Sequence, residues 1–174
     1  VQARDVRGAY ETGSSKDMWY GGVIPMKFTL NGKTVEAEVK PNETLLDFLR
    51  TKMNLTSVKK GCDLGECGTC TVLMNGKPVR SCLVLAVQAE NSHITTLEGI
   101  SEKGKLNPIQ EAFLEKYGFQ CGFCTPGMIL TTKALLDENS SPSIDDIKEA
   151  LEGNLCRCTG YEQIIESVLR AAEL

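Results

Sequence analysis

The chain has 174 residues, 41% of them hydrophobic, and 23 acidic against 19 basic side chains give a net charge of -4. That length suits one domain or two small ones with modest cores, and an acidic balance without a basic run gives no electrostatic case for nucleic acid or an anionic membrane surface. The longest apolar run near the middle, Cys82 to Val87, is far short of the roughly 20 residues of a membrane span, so the sequence reads as soluble and cytoplasmic.

Residues 1–22 are polar and glycine-containing, with no apolar core or twin arginine of a targeting segment. Two readings stay open for this extension: a disordered leader, or an arm ordered against a partner with Trp19 and Tyr20 as anchors. From Val23 the pattern turns strand-like. Met26, Phe28 and Leu30 alternate with Lys27 and Thr29, Asn31-Gly32 signals a tight hairpin, and Val35, Ala37 and Val39 alternate again. Pro41 and Asn42 break the strand ahead of a helix carrying Leu45, Leu46, Phe48 and Leu49. Asn75-Gly76 predicts a second hairpin between Thr71–Met74 and Lys77–Ser81, which returns Cys82 toward the loop Gly61–Cys70. Ile94, Thr95 and Thr96 predict a short strand that closes the sheet, and Ser101–Lys105 reads as a linker.

The second half changes to helical punctuation. Asn107-Pro108 opens a helix with Ile109, Phe113, Leu114 and Tyr117. Thr125-Pro126 repeats the device before Met128, Ile129, Ala134, Leu135 and Leu136, and Ser143 with Asp146 forms a capping box before Ile147, Ala150 and Leu151. A fourth helix is predicted from about Tyr161 with Ile164, Ile165, Val168 and Leu169, which together suggests a small bundle.

Eight cysteines fall in two groups of four. Cys62, Cys67, Cys70 and Cys82 follow C-x4-C-x2-C-x11-C, and Cys121, Cys124, Cys156 and Cys158 pair a C-x2-C with a C-x-C. These spacings predict two metal sites, the first with the plant-type ferredoxin spacing for a 2Fe-2S cluster. Gly61, Gly65 and Gly68 are expected to adopt positive φ and wrap the loop around the metal. In the second group both pairs are expected at helix N-termini, where unsatisfied N–H groups favour anions. Cys156 and Cys158, two apart, project to one side while Arg157 points away. Zinc is the competing reading of four thiolates at short spacing. A disulfide framework is the weaker one, because cysteine falls below the roughly 8% of compact disulfide scaffolds, and a Rieske centre needs two histidines where the chain has only His93. No nucleophile elbow, phosphate loop or dinucleotide fingerprint is present, and Glu162, Glu166 and Asp137 read as solvated helix faces. No catalytic residue is assigned.

The motifs GCDLGECGTC, QCGFCTPGM from Gln120 and GNLCRCTGY from Gly153 stand in this order along the chain. Together they resemble the small iron-sulfur subunit of the molybdenum hydroxylases, the xanthine oxidase and aldehyde oxidoreductase family, over residues 24–174. The resemblance implies an α+β chain: a plant-type ferredoxin β-grasp domain at 23–100, then a four-helix bundle at 101–174 carrying a second 2Fe-2S cluster. It implies that Cys121, Cys124, Cys156 and Cys158 hold the molybdenum-proximal cluster and Cys62, Cys67, Cys70 and Cys82 the flavin-proximal one. Gln120 and Cys158 would contact the molybdopterin, in its cytosine dinucleotide form.

Electrons would then pass from molybdenum through both clusters to FAD. Because the chain ends at Leu174, the molybdopterin-binding large subunit and the FAD-binding medium subunit are expected as separate chains of a heterotrimer. Thr69 departs from the Ala or Ser common at its position in the family. The substrate lies on another chain, with an aldehyde favoured on family breadth. Two other functions compete: a stand-alone two-cluster ferredoxin that shuttles electrons by diffusion, and a zinc-stabilised interaction module.

Overall fold

Alternation of apolar residues builds the first hairpin. In a computed structural model, which describes residues 22–101 and 104–174, β1 (Ile24–Leu30) buries Met26, Phe28 and Leu30 on one side while Lys27 faces out. It pairs antiparallel with β2 (Lys33–Val39). The two-residue loop Asn31-Gly32 has φ of 50° and 76°, the paired left-handed conformation whose twist matches the strands. Asn75 and Gly76, at 53° and 82°, do the same between β3 (Thr71–Met74) and β4 (Lys77–Arg80). The proposed anchors Trp19 and Tyr20 lie outside the described residues, as do 102–103 of the expected linker.

The fifth strand, β5 (His93–Thr95), does not close the sheet as the sequence led us to expect. It lies in the middle, in the order β2-β1-β5-β3-β4, parallel to β1 and antiparallel to β3. The turn asparagines explain this: Asn31 N–H donates to Ile94 O at 2.9 Å and Asn75 N–H to His93 O at 2.8 Å, while Asn75 Oδ1 accepts from His93 N at 2.8 Å. Each hairpin thus presents its tip to the short strand, and the strand joins the two.

Helix α1 (Leu45–Thr51) is too short to persist alone. Thr44 caps it by accepting from Asp47 N at 3.1 Å, and Leu45, Leu46, Phe48 and Leu49 are buried against the sheet. Phe48 meets Phe28 edge-on at 5.8 Å and 66°, a favoured aromatic geometry. The apolar run Cys82 to Val87 lies in two 3-10 turns, Ser81–Leu83 and Ala86–Ala89, and the extended residues between them. These fold back under α1 and carry Cys82 and Ala86 into its core.

The second half holds α2 (Leu97–Ile100), α3 (Pro108–Glu115), α4 (Thr125–Glu138), α5 (Ile144–Leu151) and α6 (Glu162–Ala172). The short α2 was not anticipated, since Gly99 interrupts its pattern. It is pinned by Glu98, which accepts from Ser57 Oγ at 2.6 Å and Thr96 Oγ1 at 2.7 Å. Two caps are those the sequence offers, Asn107 accepting from Ile109 N at 2.9 Å and Ser143 from Asp146 N at 3.2 Å, whereas Thr125 is the first residue inside α4 and Cys124 takes the cap position expected of it. α3 to α6 share a second core that includes Phe113, Met128, Ile147 and Ile164. β3 serves both cores, because successive strand residues face opposite ways: Val72 enters the first and Leu73 the second, with α4 packed on the strand. The chain is therefore a mixed α+β fold, with a five-stranded sheet and six helices among the described residues. None of those helices is long and apolar enough to cross a membrane.

Candidate metal centres

The loop between α1 and β3 holds three cysteines, and the turn after β4 supplies the fourth. Cys62 and Cys67 interlock: Cys62 N–H points at Cys67 Sγ and Cys67 N–H at Cys62 Sγ, each at 3.4 Å, and Leu64 N–H also reaches Cys62 Sγ at 3.4 Å. These donors, Leu64 first, pull the Cys62 thiol down to about 7. Cys70 and Cys82 form the other pair, buried in the first core. Ser81 fixes them by donating its hydroxyl to Cys70 O at 2.7 Å. Burial, then the hydrogen bond to Cys70, pushes the Cys82 thiol up to about 11.

One glycine reading needs correction. Gly65 and Gly68 have positive φ, 82° and 67°, but Gly61 does not; Asp63 takes the extra left-handed position at 58°. Gly61 is needed for space, since a Cβ there would stand 2.7 Å from Thr69 Oγ1 and 2.9 Å from Cys67 Sγ.

At the second site Cys124 is the N-cap of α4 and is buried. Its thiol is pushed up to about 12, by burial first and then by its hydrogen bond to Cys156. Burial also works against the Cys156 thiolate, but the hydroxyl and N–H of Thr159 outweigh it and bring that thiol down. Cys121 and Cys158 are exposed, with sulfurs 3.5 Å apart. The N–H of Phe123 lowers Cys121, and the shared hydrogen bond raises Cys158. The sequence placed both pairs at helix starts. Only Cys124 sits there, because Tyr161, not Cys158, caps α6. Tyr161 does so at φ 73°, a left-handed conformation rare for a bulky residue. Its hydroxyl accepts from Cys156 N at 2.9 Å and reaches Asn154 O at 3.3 Å, which holds the C-x-C segment in place.

Each set of four thiols therefore divides into two twos: Cys62 with Cys67, Cys70 with Cys82, Cys121 with Cys158, and Cys124 with Cys156. Twos within a set of four suit a dinuclear cluster with two thiolates on each iron. The interlocking N–H groups are donors suited to sulfur that carries negative charge.

The two sites touch. Leu155 N–H donates to Cys67 O at 2.9 Å, so the residue before Cys156 is hydrogen-bonded to a residue of the other set. Beside it the buried Asn154 donates to Gly68 O at 3.3 Å and accepts from Thr131 Oγ1 at 3.2 Å. Arg80 reaches across to Gly153 O at 3.1 Å. Asn154 escaped the sequence reading, and only its place between Gly153 and Leu155 in a cysteine motif hinted at a role. Gln120 is exposed beside exposed Cys121, whose sulfur lies 3.5 Å from that of Cys158.

Comparison with known proteins finds two iron-sulfur domains along the chain. Residues 28–96 match the family described as a 2Fe-2S iron-sulfur cluster binding domain, and residues 96–169 match the family described as a [2Fe-2S] binding domain. The nicotinate dehydrogenase small FeS subunit of Eubacterium barkeri is 53% identical over 150 residues, 86% of this chain and 96% of that one. The aldehyde oxidoreductase iron-sulfur-binding subunit of Escherichia coli K12 is 42% identical over 86% of this chain and 72% of its own. Among solved structures, quinoline 2-oxidoreductase from Pseudomonas putida 86 superposes with a TM-score of 0.84 at 48% identity, covering 87% of this chain and 94% of that chain. Paired thiols in two touching sites, two matched cluster-binding domains and relatives of nearly the same extent lead to one assignment: the chain belongs to the small iron-sulfur subunits of the molybdenum hydroxylase family.

Proposed function

We propose that this chain is the electron-transfer subunit of a molybdenum hydroxylase complex. On this reading residues 23–100 form a ferredoxin-like β-grasp domain and 101–174 a four-helix bundle. Cys62, Cys67, Cys70 and Cys82 hold one 2Fe-2S cluster, and Cys121, Cys124, Cys156 and Cys158 hold the other. A molybdopterin, in its cytosine dinucleotide form, sits on a large partner subunit and FAD on a medium one. Each cluster would accept and release one electron.

The observation that carries the reading is the hydrogen bond from Leu155 N–H to Cys67 O, 2.9 Å long, which joins the two cysteine sets through main chain. Order within the second site supports a direction. Cys121 and Cys158 are exposed beside exposed Gln120, while Cys124 and Cys156 lie deeper and Cys156 adjoins the bridge. Their exposure supports a contact of Gln120 and Cys158 with a cofactor on a neighbouring chain. The inner pair, with Leu155, leads toward the ferredoxin-like site. Phe123, between Cys121 and Cys124, comes close to Gly61 of that site; its Cε1 lies 3.6 Å from where a Gly61 Cβ would stand.

Similarity also bears on the substrate class. The relatives named for nicotinate and quinoline are 53% and 48% identical, and those named for aldehydes 41% to 46%. We infer an N-heteroaromatic compound in place of the aldehyde favoured from sequence.

Iron analysis of the complex tests the site assignment: about four irons per chain are expected, and either Cys82→Ser or Cys124→Ser lowers this to about two. A colourless chain holding zinc would end the proposal. Gln120→Ala should retain the iron yet slow cluster reduction by substrate, and unchanged kinetics would remove Gln120 from the cofactor contact.

A further inference from the structure

We propose that the hydroxyls of Thr69 and Thr159 set the reduction potentials of the two centres, with Thr159 the stronger of the two. The inference rests on reading both cysteine sets as 2Fe-2S ligands.

The two sites carry the same device in different local geometry. Thr69 Oγ1 lies 3.2 Å from Cys67 Sγ, two residues back, and Thr159 Oγ1 lies 3.1 Å from Cys156 Sγ, three residues back. A sulfur bound to iron carries no proton, so in each pair the hydroxyl is the donor. A 2Fe-2S cluster held there would gain one negative charge on one-electron reduction, part of it on the ligand sulfurs. A hydrogen bond to such a sulfur stabilises the added charge and raises the potential, without any proton changing hands.

A hydroxyl has one proton, and its other contacts decide where that proton goes. Thr159 Oγ1 accepts from Tyr161 N at 3.2 Å, which uses a lone pair and leaves the proton for Cys156. No carbonyl shares it among the described residues. An N–H reaches each sulfur as well, Thr159 N–H to Cys156 Sγ and Cys62 N–H to Cys67 Sγ, both at 3.4 Å, so the difference lies in the hydroxyls. Thr69 divides its proton, because Lys59 O lies 3.3 Å from the same oxygen. The Cys67 sulfur therefore receives only part of a hydroxyl bond, and the Cys156 sulfur a whole one.

Placement gives the difference a purpose. Cys67 and Cys156 flank the bridge from Leu155 N–H to Cys67 O, so both threonines act on the ligands that lie between the centres. A hydroxyl at either position changes the driving force of transfer across that bridge.

The test uses the complete complex with Thr159→Val, Thr159→Ser, Thr69→Val and Thr69→Ser. Iron is counted first, and the potential of each centre is then followed through its own EPR signal during stepwise reduction. With iron intact, Thr159→Val should move its own centre to lower potential and leave the other unchanged. Thr159→Ser should recover most of that shift, and Thr69→Val should give a smaller shift at the other centre. An unchanged potential in Thr159→Val overturns the proposal, as does a shift that serine fails to recover or a larger shift at Thr69. If Thr159→Val loses iron, Thr159→Ala takes its place, and a wild-type potential there overturns the proposal equally. A wild-type complex without iron would sink the two-cluster reading itself.

Discussion

Gly68→Ala is expected to destabilise the chain by about 3–5 kcal/mol, whereas Gly76→Ala, at a similar backbone conformation, costs only about 1 kcal/mol. Both glycines have positive φ, 67° and 82°, so both substitutions carry the left-handed penalty. Nothing lies within 4 Å of a Cβ at Gly76. At Gly68 the new methyl would overlap Gly153 O and stand 2.9 Å from Asn154 Cα, and these are main-chain atoms of another segment that no rotamer change can clear.

Relief requires the two cysteine-bearing segments to part, which breaks Leu155 N–H to Cys67 O and Asn154 Nδ2 to Gly68 O. Each lost bond costs about 1 kcal/mol, and leaving the buried Asn154 amide without its acceptor adds about 1–2 kcal/mol. For a chain of this size the difference corresponds to a melting midpoint roughly 5–12 °C lower for Gly68→Ala than for Gly76→Ala. Circular dichroism melts of the two variants under one condition measure it. Midpoints within a degree or two of each other would refute the tight main-chain apposition of the sites.

Asn154→Ala removes both of its side-chain hydrogen bonds, with Thr131 and Gly68. About 2–4 kcal/mol of stability should go with them, with Thr131→Val losing less in the same denaturation series. Tyr161→Phe takes away the hydroxyl that serves Cys156 N and Asn154 O. A loss of about 1–3 kcal/mol is expected, together with faster hydrogen exchange at the Cys156 amide, and unaltered exchange would count against the role of that hydroxyl. Burial pushes the Glu98 carboxyl up, but the hydroxyls of Ser57 and Thr96 outweigh it and hold it below the ordinary carboxylate value of 4.5. Its contribution to stability is therefore complete above about pH 4.5 and is lost as the pH falls through the lower folded value. Glu98→Gln should flatten the acid side of the stability profile, and an identical acid slope would dismiss the linkage.

Local chemistry made much of this molecule legible. Both Asn-Gly turns, the Asn107 and Ser143 caps and the apolar face of α1 follow from near neighbours, and all stand where the pattern put them. The position of β5 did not follow. His93–Thr95 is short, and its place in the middle of the sheet depends on two asparagines distant in sequence, Asn31 and Asn75. The helix α2 was missed for a similar reason, since its anchor, Glu98, finds its partner at Ser57. At the sites, cysteine spacing announced two groups of four, but the division into twos depends on how the loops fold. Nothing in the spacing says that Cys121 faces Cys158 and Cys124 faces Cys156.

The apposition itself was the least legible feature, and it has the strictest requirements. Three glycines keep the contact open. Gly68 leaves room for Gly153 O, a Cβ on Gly127 would stand 2.6 Å from Gly68 O, and a Cβ on Gly153 would overlap the Arg80 guanidinium. These three come from the first cysteine loop, the first turn of α4 and the segment after α5. Any one of them read alone is an ordinary loop or helix glycine. Their common purpose appears only when β3 is shared by the two cores, because that sharing brings α4, and with it Cys124, against the strand that follows Cys70. The short path between the cysteine sets is thus a consequence of one strand facing two ways. A change that pries α4 from β3, such as a polar residue at Leu73, should lengthen that path before it disturbs either set of four.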